Sequence, residues 1–203
     1  MELLYSVILA VCSFWLGACP FSVWIGRSLL NKDIRGYGDG NPGAVNVFRA
    51  GGRRAGSLAL LLDIAKGIPF VFSAHALLAL PDVAVMAIGM SAIFGHAFSP
   101  LLRFHGGKAL AVTLGVLLVL PQHQLVFTVL IFTFLSFIFI ESDAWTIVIG
   151  AVGSLAYLEI TRGNSWESLF IFYVLALYAV KSHNELHTVP KLGRLVHWVQ
   201  SRT

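Results

Sequence analysis

The sequence predicts an all-α integral membrane protein with seven transmembrane helices. Of its 203 residues, 57% are hydrophobic and only 12% are charged, with a mean hydropathy of +0.80. A soluble domain carries about a quarter charged residues. The apolar residues also come in blocks, several of them near the roughly 20 residues a helix needs to cross hydrocarbon. Between the blocks, the basic residues gather at alternate breaks, as the positive-inside rule requires of a multi-pass chain.

The first block, Leu3–Ile25, is too long for the core of a signal peptide. It also lacks a basic start, so it reads as a retained helix. Cys12 and Cys19 lie on it, too far apart along one helix for a disulfide, and read as small packing residues. Ser57–Leu80 is the second span and Val83–Leu102 the third, divided by Pro81-Asp82. The turn His105-Gly106-Gly107-Lys108 precedes the fourth, Ala109–Leu120. The wholly polar run Gln122-His123-Gln124 then favours a separate fifth span, Leu125–Ile140, over one kinked helix across both. Glu141-Ser142-Asp143 and Arg162-Gly163-Asn164 bound the sixth, Ala144–Ile160, and Trp166–Val180 is the seventh. The fourth and seventh are short, which is tolerated at membrane depth where a segment lines a cavity. All seven are read as one transmembrane domain, 1–203.

Charge sets the orientation. With the first loop cytoplasmic, regions 27–54, 103–108 and 181–203 lie inside. They hold 12 of the 14 basic residues: Arg27, Lys32, Arg35, Arg49, Arg53, Arg54, Arg103, Lys108, Lys181, Lys191, Arg194 and Arg202. The N-terminus is therefore expected outside and the C-terminus in the cytoplasm.

Two cytoplasmic loops have the chemistry of anion sites. The first runs Gly38-Asp39-Gly40-Asn41-Pro42-Gly43-Ala44-Val45-Asn46-Val47-Phe48-Arg49, followed by Gly51-Gly52-Arg53-Arg54. The second, Gly95 to Thr113, contains His96 and Gly106-Gly107-Lys108. Glycine, without a Cβ, lets successive backbone N–H groups converge into anion-binding concavities. Lysine at a helix start does not favour the helix dipole. Lys108 therefore reads as a wall of a phosphate site completed by free N–H groups, against the plainer reading of an interfacial side chain. Arg49, in the glycine loop, is read the same way. Lys32, Arg53, Arg54, Lys191, Arg194 and Arg202 read as topology anchors.

Asp63 and Lys66 lie one turn apart within the second span. Either they neutralise each other as an i,i+3 pair, or Lys66 reaches the anion site near the cytoplasmic edge. Among the histidines, His96 and His105 flank the second loop, and His183 lies in the tail Lys181-Ser182-His183-Asn184-Glu185-Leu186. His75, His123, His187 and His197 show no partner pattern. Asp39, His96, His105, His183 and Glu185 lack any metal-ligand spacing, so no metal and no cofactor is expected.

The order of these motifs resembles the bacterial acyl-phosphate:glycerol-3-phosphate acyltransferase (PlsY) family over nearly the whole chain. The resemblance rests on Pro20-Phe21, Gly40-Asn41-Pro42-Gly43-Ala44 with Asn46 and Arg49, and Asp63-x-x-Lys66-Gly67. It continues through Gly95-His96, Pro100, Phe104, Gly106-Gly107-Lys108 and Thr113. It implies transfer of a fatty acyl group from acyl phosphate to the 1-hydroxyl of glycerol 3-phosphate, giving lysophosphatidic acid. The implied setting is the bacterial inner (plasma) membrane, with membrane lipids as surroundings, a monomeric enzyme and no nucleic acid. Asp39, Lys108, His183 and Asn184 are the catalytic candidates. Gly40, Asn41, Gly43, Asn46, Arg49, Lys66, His96, Gly106 and Gly107 are the substrate-binding ones.

Four positions depart from the family pattern. Asp39 stands for a serine, Val45 for a threonine, His105 for a lysine and Ala109 for a glycine, and the tail motif is rearranged around His183. An ionised Asp39 would repel a phosphate. It is therefore either a base for the glycerol hydroxyl or a mark of changed substrate or lost activity. The alternative function is a divergent membrane protein that binds a phosphorylated lipid or metabolite, with a transporter as a third reading. In each case, loops 27–54 and 95–108 and segment 181–186 are expected to share one pocket, with Lys108 within about 15 Å of Asn41.

Overall fold

The computed structural model of the chain describes residues 1–120, 122–163 and 165–190. Lys191, Arg194, His197 and Arg202 lie outside the described residues. Among these residues the ordered elements are helices, and they form two units, one up to Leu120 and one from Gln122 onward.

In the first unit the predicted first span is broken. Helix α1 (Glu2–Ala18) ends before Cys19-Pro20, and α2 (Phe21–Leu30) starts anew. Proline lacks the N–H that a continuous helix would need there. The carbonyls freed by the break are taken by side chains from later in the chain. Ser99 Oγ donates to Ala18 O at 2.5 Å, and Lys66 Nζ donates to Cys19 O at 2.9 Å. Lys66 also pairs with Asp63 at 2.8 Å, whose other oxygen accepts from Ser22 Oγ at 2.5 Å. Asp63 and Lys66 are 2% and 3% exposed. The pair is thus neutralised internally, and the Lys66 ammonium serves the helix break.

After α2, a short helix α3 (Ala44–Arg49) follows the glycine loop, and α4 (Arg53–Ala65) begins the second span. That span also breaks, at Lys66-Gly67-Ile68, before α5 (Pro69–Phe72) and a π-turn over Ser73–Leu77. Helix α6 (Asp82–Ala97) stops short of Pro100, which opens a 3₁₀ turn to Leu102. Helix α7 (Leu110–Val119) has 10 residues and is only about 15 Å long. α1 and α6 pack at closest approach. A Cβ on Gly17 would strike the Ala92 backbone, and one on Gly95 the Phe14 backbone, while Ser13 Oγ bonds Ile88 O across the interface at 2.9 Å. Small residues and interhelical hydrogen bonds are the means by which helices associate in lipid.

The first loop has an apolar floor of its own. Val23, Ile34, Ala44, Val47 and Ala59 are buried together beneath it, so the glycines above are carried on packed backbone.

The second unit holds α8 (His123–Phe139), α9 (Asp143–Arg162), α10 (Trp166–Lys181) and α11 (His183–Leu186). Helix α8 begins directly at the predicted polar break, as a helix distinct from α7. Gly150 lets α9 lie against the Thr133 backbone of α8. Ser165 caps α10 by accepting from Ser168 N at 3.3 Å.

Among the described residues four stretches are long and apolar enough to cross a membrane: Glu2–Leu30, Arg53–Leu77, Asp82–Leu102 and Asp143–Arg162. Leu110–Val119 and His123–Phe139 are shorter apolar helices. The sequence predicts seven spans and the lengths alone yield four, because prolines, glycines and the polar turn cut the remaining apolar segments into short helices.

Candidate active site

The two glycine-basic loops meet in the first unit. Lys108 N–H donates to Asn41 Oδ1 at 3.1 Å, well inside the expected distance. Lys108 Nζ donates to Asp39 Oδ2 at 2.6 Å. The other carboxylate oxygen accepts from Asn46 Nδ2 at 2.9 Å and from Asn41 N–H at 3.2 Å, and it lies 3.7 Å from the Arg49 guanidinium. Four donors or cations from two loops thus converge on one carboxylate. Burial works to raise the Asp39 pKa. The Lys108 hydrogen bond, the Asn46 amide, the Lys108 charge and the Asn41 N–H outweigh it, so the carboxyl titrates below its ordinary value.

Local sequence explains this geometry. Gly38 and Gly40 take left-handed backbone, with φ of 56° and 74°, which turns the Asp39 carboxylate back toward α3. A Cβ at Gly38 would also strike the Arg49 guanidinium. Gly38 is the site residue missed from sequence, although it stands at the head of the glycine run. Gly43 is the N-cap of α3, the helix that presents Asn46 and Arg49 on one side. Asn46 is 1% exposed. Its amide also reaches Asn41 O at 2.9 Å, and its carbonyl accepts from Arg49 at 3.2 Å.

The second loop folds against the end of α6. Gly107 N–H donates to His96 O at 3.2 Å. A Cβ at Gly106 would run into that same carbonyl, and one at Gly107 into the His96 ring. The two glycines are therefore required by contact with α6, and His96, 7% exposed, lines the wall they lean on. Ala109 takes φ of 64° at the start of α7, a left-handed conformation that glycine adopts without strain.

Three candidates remain. Lys66 is committed to Asp63 and Cys19 O, the self-neutralising arrangement. His183 and Asn184 lie on α11 in the second unit. His187, expected to be without a partner, instead faces His183, Nε2 to Nε2, at 3.1 Å.

Comparisons with known proteins agree with this chemistry. A profile of the family described as glycerol-3-phosphate acyltransferase matches residues 7–189. The glycerol-3-phosphate acyltransferase of Lactococcus lactis subsp. lactis is 33% identical over 193 residues, covering 89% of this chain and 87% of that one. That of Neisseria gonorrhoeae is 33% identical over 183 residues, covering 89% and 90%. The crystal structure of PlsY (YgiH), an integral membrane glycerol 3-phosphate acyltransferase, in its glycerol 3-phosphate form, is similar in fold. Its TM-score is 0.79, at 22% identity and 90% coverage of each chain.

Proposed function

The chain belongs to the glycerol-3-phosphate acyltransferase family, a membrane enzyme acylating glycerol 3-phosphate to lysophosphatidic acid, and we propose that its donor is an acyl phosphate. One observation carries the proposal: the cradle of Lys108, Arg49, Asn46 and Asn41 already holds an oxyanion, the Asp39 carboxylate. Donors able to converge on a carboxylate suit a phosphate equally well. An acyl phosphate is already activated, so the protein supplies orientation, charge neutralisation and a proton acceptor.

An arriving phosphate takes Lys108 and Arg49 from Asp39. The carboxylate loses the partners that depress its pKa and gains an anionic neighbour, so its proton affinity rises. It then serves as base for the glycerol 1-hydroxyl. The hydroxyl oxygen attacks the acyl carbon as Asp39 takes its proton, the bond from acyl carbon to phosphate oxygen breaks, and inorganic phosphate leaves with the electron pair. Lys108 and Arg49 neutralise that leaving charge, with Gly106 and Gly107 setting the turn that brings Lys108 there. Gly40, Gly43 and His96 shape the wall.

We also retain the seven-span topology. The clustering of 12 basic residues in three regions supports an outside N-terminus and a cytoplasmic C-terminus in the bacterial inner membrane. The protein works as a monomer among membrane lipids.

The test supplies purified protein with glycerol 3-phosphate and either palmitoyl phosphate or palmitoyl coenzyme A. Lysophosphatidic acid formed with palmitoyl phosphate and not with the thioester supports the donor assignment. The opposite preference sinks it.

A further inference from the structure

The tail segment brings two histidines into a pair, one of which, His187, has no part in the acyl-transfer reading. His183 and His187 stand one helical turn apart, their rings at 90° with centroids 4.3 Å apart. Their Nε2 atoms approach to 3.1 Å. Two nitrogens that each bind one tetrahedral zinc at about 2.05 Å lie roughly 3.3 Å apart, and about 2.9 Å apart on a square-planar ion. The observed separation falls between the two. Facing Nε2 atoms at this distance have room for a single proton between them, so at least one imidazole presents a lone pair, the form that binds metal.

The pair is also held in place. Glu185 and Leu186 N–H groups both return to Ser182 O, at 2.9 and 3.1 Å. Beyond the pair, Thr188 O accepts from Trp145 Nε1 of α9 at 2.6 Å, and Thr188 Oγ1 donates back to Glu185 O at 2.7 Å. Ordering of this kind lowers the entropic cost of binding. Both imidazoles are exposed. Among the described residues no third histidine, cysteine or carboxylate joins them into a larger ligand group.

We propose that His183 and His187 form a two-imidazole chelate for a divalent transition-metal ion of the copper–zinc class. With two protein ligands and open positions left to water, the site binds reversibly rather than as a structural metal.

The test uses Cu²⁺ alone on the detergent-purified full chain. Electron paramagnetic resonance of wild type should show two equivalent nitrogen donors. His187→Ala should lose the two-nitrogen pattern and bind at least about tenfold more weakly, and His187→Gln, which keeps a polar group, should behave the same. Acyl transfer in chelator should be unchanged in both variants, which shows them folded. A two-nitrogen spectrum that persists in His187→Ala overturns the site, as does the absence of bound copper in wild type.

Discussion

At the residue scale, Asp39 carries the most chemical consequence, because two loops converge on its carboxylate. A lowered pKa makes it a counter-ion at rest, so its work as a base depends on being displaced by phosphate. Asp39→Asn keeps the shape of the loop and should lower kcat by about 10²–10⁴-fold, with folding unchanged; an unaltered kcat in folded protein would refute the base role. Lys108→Ala should cost about 10²–10³-fold in kcat/KM, whereas Lys191→Ala, outside both glycine-basic loops of the sequence, should cost little. Equal losses would mean that bulk surface charge is responsible. Ala109 offers a test in the other direction. Left-handed backbone strains an alanine by roughly 1–2 kcal/mol, and the buried methyl returns about 0.8 kcal/mol. Ala109→Gly should therefore raise Tm slightly, by no more than about 4 °C, and a fall would show that packing of the methyl dominates.

At the scale of elements, the loops were legible and the helix breaks were not. Glycines beside basic and amide side chains pointed to an anion cradle because few other roles need that combination, and Asn41, Asn46, Arg49 and Lys108 do lie around one anion. The sequence does not show that the anion is the protein's own Asp39, since this depends on the left-handed turns at Gly38 and Gly40. Hydropathy likewise ran through Cys19-Pro20 and Lys66-Gly67, because a broken helix is as apolar as a whole one. Lys66 illustrates the cost of that blindness: its ammonium caps a carbonyl that only the break exposes. Lys66→Met leaves Asp63 buried without its cation and should destabilise by about 3–5 kcal/mol, read as loss of folded monodisperse protein. Replacing both residues, Asp63→Leu with Lys66→Met, should recover much of this, although Cys19 O stays unpaired. A single variant as stable as wild type would show that the pair is wetted.

At the scale of the whole molecule, composition and four long apolar stretches among the described residues mark an integral membrane protein. The number of spans remains a matter of how short helices are counted. Single cysteines placed at positions 52 and 105 in a Cys12→Ala/Cys19→Ala background should react with an impermeant thiol reagent only from the cytoplasmic side. Labelling of either from outside would reverse the topology. The lock at the first helix break also bears on how the chain is made. Ala18 and Cys19 emerge from the ribosome with carbonyls that lipid cannot satisfy, and their partners, Lys66 and Ser99, are synthesised 47 and 81 residues later. The leading segment must therefore wait, kept near water or a helper protein, until the third apolar stretch arrives. The first hundred residues consequently mature as a single event, and a nascent chain halted before Ser99 remains an unfinished object open to proteases.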